Sequence, residues 1–261
     1  MRRGLAPSRE QAQALVDTGS VLVAGVLADK PSRLVAARDP IVVSGPGPRF
    51  VSRGGEKLDA AMARFGVDVR GRTVLDAGAS TGGFTDCLLQ RGAAGVVAVD
   101  VGHGQLDQSL RNDARVQVHE RTNIRHLDPA DVGGPFDAIV ADLSFISLAT
   151  VAEALVGRLA APGADVVVLI KPQFEAGRKA VARGRGVVRD PAVWTEVLAA
   201  VSSALASHGA AMMDVMVSPL TGADGNVEFL AHLRAHAGGA PAPEFGPVVA
   251  EAVARHGRQE R

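Results

Sequence analysis

Short Val-rich runs that alternate with helical patterns constrain the fold of this 261-residue chain more than any other feature. Strands that are apolar along their whole length are typical of a parallel sheet covered by helices on both faces. We therefore predict an α/β fold with a doubly wound, mostly parallel sheet of the Rossmann-like kind. The strand patterns lie at residues 73–75, 95–99, 116–118, 138–141 and 166–170, and helical patterns lie at 83–90, 105–110 and 150–159.

Composition divides the chain into four segments. Residues 1–45 combine a helical pattern at 8–16, capped by Ser8, with strand patterns at 21–23 and 41–43, which predicts a small α/β module. Gly and Pro dominate residues 45–48, so we interpret residues 46–53 as a linker. The main domain, residues 54–237, opens with a helix and closes with a helix at 194–207 and strands at 211–217 and 226–232. Residues 238–261 predict a loop and a short helix at 248–256.

Positive charge is concentrated in two segments, although the formal net charge is zero. Residues 1–53 contain twice as many basic as acidic residues, and residues 178–189 contain five basic residues and no acidic residue. Solvated surface charge is the simplest explanation of either segment alone, but together they predict contact with a polyanion. The candidate contacts are Arg2, Arg3, Arg9, Arg53, Arg178, Arg183, Arg185 and Arg189.

Several features predict a cytoplasmic protein. Cys87 is the only cysteine, so no intrachain disulfide can form, which fits a reducing compartment. Residues 1–10 are polar and basic, unlike a signal peptide. The longest apolar run, 166–170, is far too short to span a bilayer. The histidines form no pattern typical of a metal site, so we expect no metal. A monomer is the simplest expectation.

A glycine-rich turn joins the first strand of the main domain to its helix, in the sequence Val-Leu-Asp-Ala-Gly-Ala-Ser-Thr-Gly-Gly-Phe of residues 74–84. Backbone N–H groups in such a turn can approach a ligand closely. Ser80 stands where the dinucleotide-binding fingerprint requires glycine. Asp76 would repel a pyrophosphate but suits an ammonium group, and Asp100 can accept both ribose hydroxyls of an adenosine. The two acids favour S-adenosylmethionine over NAD; a turn without a ligand is the alternative.

Asp142 and Lys171 follow two later strands, and the carboxyl ends of parallel strands meet at one edge of a sheet. A lysine at the end of an apolar strand is partly desolvated, which lowers its pKa and makes the neutral amine available as a base. Lys171 could instead extend to solvent, and Asp142 alone could cap a helix. Their joint position at adjacent strand ends favours a catalytic interpretation.

Four short motifs resemble those of a known family. They are Ser-Arg-Gly-Gly-Glu-Lys-Leu with Lys57, Ala-Asp-Leu-Ser-Phe with Asp142, Ile-Lys-Pro-Gln-Phe-Glu with Lys171, and Asp-Gly-Asn-Val-Glu-Phe-Leu with Glu228. The set resembles the TlyA family of ribosomal RNA 2′-O-methyltransferases, also called haemolysin A, over nearly the whole chain. The resemblance implies an FtsJ-like domain with a Lys-Asp-Lys-Glu tetrad, preceded by an S4 RNA-binding module. An Arg-Leu-Asp stretch that usually opens such modules is missing, which predicts a shortened first helix.

The resemblance implies S-adenosylmethionine-dependent methylation of a cytidine ribose in ribosomal RNA, on the large subunit and in some members also on the small one. Lys171 would be the general base, Asp142 would hold it, and Lys57 and Glu228 would orient the hydroxyl. The expected cofactor contacts are Asp76, Gly78, Ser80, Thr81, Gly82, Gly83, Phe84, Asp100, Asn123 and Asp142. The alternatives are a small-molecule methyltransferase, a non-catalytic RNA-binding protein and a membrane-active haemolysin.

Overall fold

The N-terminal module is a helix packed on a small antiparallel sheet. The computed structural model describes residues 3–6, 9–17, 19–44, 48–177, 184, 186–222, 224–239 and 241–259. Helix α1 (Arg9–Asp17) precedes strands β1 (Val21–Val23), β2 (Val26–Leu27) and β3 (Ile41–Val43), which pair in the order β2-β1-β3. The module's core is small, with Ala6, Leu15, Val21, Val23 and Ala28 buried in it.

A seven-stranded sheet forms the centre of the main domain. Its order is β6-β5-β4-β7-β8-β10-β9. Strand β10 runs antiparallel to both of its neighbours, and every other pair is parallel. The predicted doubly wound, mostly parallel sheet is therefore confirmed. The strands are β4 (Thr73–Ala77), β5 (Gly95–Val99), β6 (Val116–His119), β7 (Phe136–Ala141), β8 (Ala160–Ile170), β9 (Ala211–Val217) and β10 (Phe229–Arg234).

Helices cover both faces of this sheet because alternate residues of each strand point to opposite sides. Val74 packs in one hydrophobic cluster with Leu58 and Leu88, whereas Leu75 packs in another with Leu155 and Leu198. The helices are α2 (Gly54–Phe65), α3 (Gly83–Gln90), α4 (Gln108–Arg111), α5 (Leu148–Ala152) with its π-helical continuation Glu153–Arg158, α6 (Pro172–Glu175), α7 (Pro191–Ala206) and α8 (Gly246–Gln259). None of the described helices has both the length and the hydrophobicity needed to cross a membrane.

Most predicted elements form, and the differences have local causes. Helix α3 and strands β5 and β9 have the predicted bounds. Strand β10 begins at Phe229 rather than at residue 226, because the Gly222 N–H bonds to the Asn226 carbonyl at 2.8 Å and closes a turn there. Helix α4 begins after Asp107, whose side chain accepts a hydrogen bond from the Ser109 N–H. The predicted cap Ser8 and linker residues 45–47 lie outside the described residues.

Candidate active site

Two adjoining cavities lie at the carboxyl edge of the parallel strands. Both are lined by Gly78, Ser80 and Asp142, so they meet at the glycine-rich turn. All four tetrad residues, Lys57, Asp142, Lys171 and Glu228, line the first cavity. Of the ten expected cofactor residues, all but Asp76 and Gly82 line one cavity or the other.

A buried ion pair joins the two ends of the main domain at this edge. Lys57, in the first turn of α2, donates from Nζ to Glu228 Oε2 at 2.6 Å. The two side chains are only 11% and 3% exposed. A Cβ atom at residue 222 would lie 2.6 Å from Glu228 Oε1, so glycine allows the residue 222 backbone to approach the carboxylate. The pair is thus enclosed by α2, the loop before β10 and the turn at Gly222.

A second ion pair lies at the ends of strands β7 and β8. Lys171 is the first residue after β8, and its Nζ lies 2.5 Å from Asp142 Oδ1. The same ammonium donates to Ser144 Oγ at 2.8 Å, and it lies 5.8 Å from the centre of the Phe174 ring. These contacts leave Lys171 only 9% exposed. The amine is therefore held in one place at the junction of the two cavities.

The glycine-rich turn approaches the second ion pair through Gly78. This residue has φ +89°, and a Cβ atom there would lie 2.4 Å from the Asp142 carbonyl oxygen. The Ser80 N–H and the Gly102 N–H donate to the two oxygens of Asp100 at 2.8 and 2.6 Å. Because a carboxylate oxygen has two lone pairs, Asp100 can still accept two further hydrogen bonds. It lines the second cavity beside Asn123.

Asp76, a predicted cofactor contact, lies within strand β4 and lines neither cavity. Asp100, Asp142 and Lys171 are the first residues after their strands, whereas Asp76 lies within β4, one residue before its end. It is fully buried and accepts a hydrogen bond from Thr85 Oγ1 at 2.6 Å. Its Oδ1 atom has no hydrogen-bond partner among the described residues. Asp76 therefore supports the turn and the start of α3 from below and does not line the cavities.

Burial dominates the electrostatics of Asp76. Desolvation raises the pKa of its carboxyl to about 7; the hydrogen bond from Thr85 opposes the rise, and the nearby Asp142 carboxylate adds to it. Burial also raises the pKa of Glu175, which accepts hydrogen bonds from Ser147 Oγ at 2.6 Å and from the Leu148 N–H at 2.8 Å. Glu175 thereby ties α6 to the loop that carries Asp142.

Sequence reasoning missed several residues of the site. Ser144 was not expected to bond to Lys171, and Thr221 and Gly222 were not expected to line the first cavity.

Phe145 is an exposed aromatic residue that lines the second cavity. Its side chain is 91% exposed, and its backbone has φ +64°. The centre of its ring lies 5.1 Å from that of Phe174. Phe145 could have been identified from the sequence, because it lies three residues after Asp142 in the same motif and the chain contains few aromatic residues.

The structure describes four of the eight predicted RNA-binding arginines. Arg53 is half-buried and lines the first cavity, and Arg189 is exposed. Arg3 donates to the carbonyl oxygens of Ala36, Ala37 and Asp39 at 2.5–2.8 Å, so its guanidinium is engaged within the module. Arg9 begins α1. Arg2, Arg178, Arg183 and Arg185 lie outside the described residues.

The residues of the two cavities fit S-adenosylmethionine. The second cavity, of about 540 Å³, is of the size that small ligands occupy, and it combines Asp100 with the apolar side chains of Val101, Ile124 and Leu143. Free lone pairs on Asp100 suit the ribose hydroxyls of an adenosine. No group of three or more His, Cys, Asp or Glu side chains that could hold a metal ion occurs in the described part of the chain.

Family models match most of the chain. The FtsJ-like methyltransferase model matches residues 50–235. The chain belongs to the FtsJ-like methyltransferase family. The S4 domain model matches residues 2–41 of this methyltransferase. The predicted combination of an FtsJ-like domain with an N-terminal S4 domain is thereby confirmed.

Individual relatives extend this likeness to nearly the full chain. The "16S/23S rRNA (cytidine-2'-O)-methyltransferase TlyA" of Mycobacterium tuberculosis is 52% identical over 90% of this chain and 87% of its own length. "Hemolysin A" of Brachyspira hyodysenteriae is 40% identical over 88% and 95% of the two chains. A solved structure from Streptococcus thermophilus is 39% identical, covers 99% of this methyltransferase and 94% of its own chain, and has a TM-score of 0.77. The resemblance to the TlyA family is confirmed.

Removing one partner of the Lys57–Glu228 pair should destabilise the protein. Lys57→Met or Glu228→Gln alone should lower the free energy of unfolding by about 3 kcal/mol, because the remaining group stays buried without its partner. The double variant should lose clearly less than the sum of the two. Urea unfolding of all four proteins measures this. Additive losses would show that Lys57 and Glu228 do not stabilise each other. The exposed Asp68–Arg70 pair provides the control, since Asp68→Asn should stay close to wild type in stability.

Asp76 should make the protein less stable as pH rises. Because its folded pKa lies above the unfolded value of 3.8, the folded state binds more protons between that value and about pH 7, so stability falls across this window. Asp76→Asn keeps an acceptor for Thr85 but cannot ionise. Urea unfolding at intervals from pH 5 to 8 should therefore show a free-energy advantage of the variant over wild type that grows with pH. Parallel curves would show that Asp76 does not titrate in this range.

Proposed function

We propose that this methyltransferase transfers a methyl group from S-adenosylmethionine to the 2′-hydroxyl of a cytidine in ribosomal RNA. The observation that carries the proposal is the Lys171–Asp142 ion pair at the junction of the two cavities, in the cavity that the buried Lys57–Glu228 pair also lines. The name of the Mycobacterium tuberculosis relative supports the acceptor atom and the base. The S4 match supports an RNA substrate.

The second cavity and the turn would hold the cofactor. Asp100 and Asn123 would bind the adenosine ribose, and residues 78–84 would surround the methionine end, with Asp76 supporting the turn from below. S-Adenosylmethionine, when bound, supplies an electrophilic methyl group on its sulfonium. The first cavity would then receive the ribose of the acceptor nucleotide, so that donor and acceptor meet beside Lys171.

Lys171 is the proposed general base. A ribose hydroxyl is a weak nucleophile at neutral pH, so its proton must leave as the oxygen attacks. The neutral form of Lys171 Nζ accepts that proton, and the Asp142 carboxylate at 2.5 Å stabilises the ammonium that forms. Ser144 fixes the direction of the amine. Lys57, held by Glu228, donates a hydrogen bond to the acceptor oxygen and orients it. Positioning and electrostatics supply much of the acceleration.

The exposed aromatic and basic residues suit a single nucleotide drawn out of folded RNA. Enzymes that act on one nucleotide stack its base on aromatic side chains, and Phe145 offers such a face at the cavity rim. Arg53 beside the first cavity and the basic residues of 178–189 would contact phosphates, and the S4 domain would add affinity.

We propose the large ribosomal subunit as the main substrate. The methyltransferase would act as a monomer on ribosomes in the cytoplasm. The proposed domain bounds are 1–45, 46–53, 54–237 and 238–261.

Loss of the general base should abolish methyl transfer without loss of cofactor binding. With tritiated S-adenosylmethionine and separated large and small ribosomal subunits, Lys171→Ala should incorporate at least about a hundredfold less label than wild type. Its cofactor affinity, measured by calorimetry, should remain near wild type. Arg115→Ala removes an exposed positive charge elsewhere and is the control. Near-normal turnover by Lys171→Ala would exclude Lys171 as the base, and label on small molecules only would favour the small-molecule alternative.

The basic residues of 178–189 should contribute to the salt dependence of RNA binding. Changing Arg183, Arg185 and Arg189 to Ala removes three candidate phosphate contacts, so the slope of log K against log salt should become shallower by about 2. Filter binding of ribosomal RNA at several salt concentrations measures the slope. An unchanged slope would show that these arginines do not contact phosphates.

A further inference from the structure

Asn226 is a buried polar residue that the proposed mechanism does not use. Its side chain is 1% exposed, and it lies two residues before Glu228 in the loop that leads into β10. A buried amide is stable only when its donors and acceptor are bonded. The partners of Asn226 therefore show what the residue holds in place.

Both polar atoms of the Asn226 side chain bond to the backbone of a second segment. Its Oδ1 accepts a hydrogen bond from the Val188 N–H at 2.9 Å, and its Nδ2 donates to the Gly186 carbonyl at 3.1 Å. We call residues 186–189 the anchored segment; it ends in the exposed Arg189. An alanine at position 226 would leave the Val188 N–H without this bond inside the protein, which is costly.

Trp194 holds the same segment from the other side. Its indole N–H donates to the Val188 carbonyl at 3.0 Å, and its ring packs edge-to-face on Phe229, the first residue of β10. The Val188 side chain is 4% exposed and belongs to the same hydrophobic cluster. The anchored segment is thus fastened to the loop that carries Glu228 by two hydrogen-bonding side chains and by core packing.

Asn226 also reaches Glu228 through its own backbone. Its carbonyl accepts a hydrogen bond from the Gly222 N–H at 2.8 Å, which closes the turn whose Gly222 backbone lies against Glu228 Oε1. One residue therefore connects the anchored segment, the Gly222 turn and the carboxylate that holds Lys57.

We propose that Asn226 is a positioning residue that couples the anchored segment to the Lys57–Glu228 pair. The proposal rests on the proposed function, because it treats Arg189 as a phosphate contact and Lys57 as the group that orients the acceptor hydroxyl. With Asn226 in place, phosphate contact at Arg189 and hydroxyl orientation at Lys57 are set by one rigid unit. Without Asn226, the anchored segment with Arg189 and the Lys57–Glu228 pair would move independently of each other.

A double-mutant cycle tests this coupling in the full chain. Asn226→Ala should raise KM for ribosomal subunits and lower kcat, each at least about fivefold, with cofactor affinity within about twofold of wild type. Arg189→Ala should raise KM several-fold in wild type but less than about twofold in the Asn226→Ala background, because the unanchored arginine no longer contributes. Equal effects of Arg189→Ala in both backgrounds would overturn the coupling.

Two variants separate positioning from loss of stability. Trp194→Phe removes the indole donor together with part of the buried ring, and it should reproduce the pattern of Asn226→Ala at smaller amplitude. It also replaces Asn226→Ala if that variant does not fold. Val201→Ala, a change in the buried face of α7, should lower the melting temperature without this kinetic pattern. The same pattern in Val201→Ala would overturn the proposal.

Hydrogen exchange distinguishes failure of this proposal from failure of the proposed function. If wild type methylates neither ribosomal subunit, the proposed function fails. Amide hydrogen exchange still tests whether Asn226 holds the anchored segment in place. Asn226→Ala should then accelerate exchange in peptides that cover residues 186–189 and 222–228 while leaving β4 and α3 unchanged. Unchanged exchange at residues 186–189 would overturn the anchor itself.

Discussion

The buried ion pair between Lys57 and Glu228 is the interaction on which the site depends. It joins the first helix of the main domain to the loop before β10, which are 171 residues apart in the sequence, in a place where each charge is costly without the other. Lys57 is fixed in the first turn of α2, and the Gly222 backbone lies against the Glu228 carboxylate. The pair therefore forms a fixed part of the lining of the first cavity. The Lys171–Asp142 pair lines the same cavity, at the ends of two parallel strands.

Part of the site could be predicted because residues that directly follow parallel strands lie at one edge of the sheet, which depends only on sheet geometry. Asp100, Asp142 and Lys171 each follow an apolar strand, and parallel strands bring such residues to one edge. Asp76 was predicted on the same grounds, but it lies inside its strand and points into the helix layer, where it accepts a hydrogen bond from Thr85 of α3. A shift of one residue along a strand decides between the two positions.

Other parts of the site could not be predicted from local patterns. Lys57 lies on a helix and Glu228 in a loop, and no periodicity brings them together, so only the family resemblance named them. Asn226 and Trp194 act through hydrogen bonds to the backbone at Gly186 and Val188, and such contacts depend on tertiary packing. The sheet itself was predictable because Val-rich strands that alternate with helices allow few other arrangements.

The chemical position of the transferred methyl group tests the assigned reaction. A 2′-O-methyl group prevents the 2′-oxygen from attacking the adjacent phosphate, so RNA labelled by this methyltransferase with tritiated S-adenosylmethionine should resist alkaline hydrolysis at the modified site. If the methyl group lies on a cytidine 2′-oxygen, the label will be recovered in alkali-resistant dinucleotides that contain cytidine. Label recovered in mononucleotides would show that a base is methylated, and it would contradict the assignment of Lys171 as a base for a ribose hydroxyl.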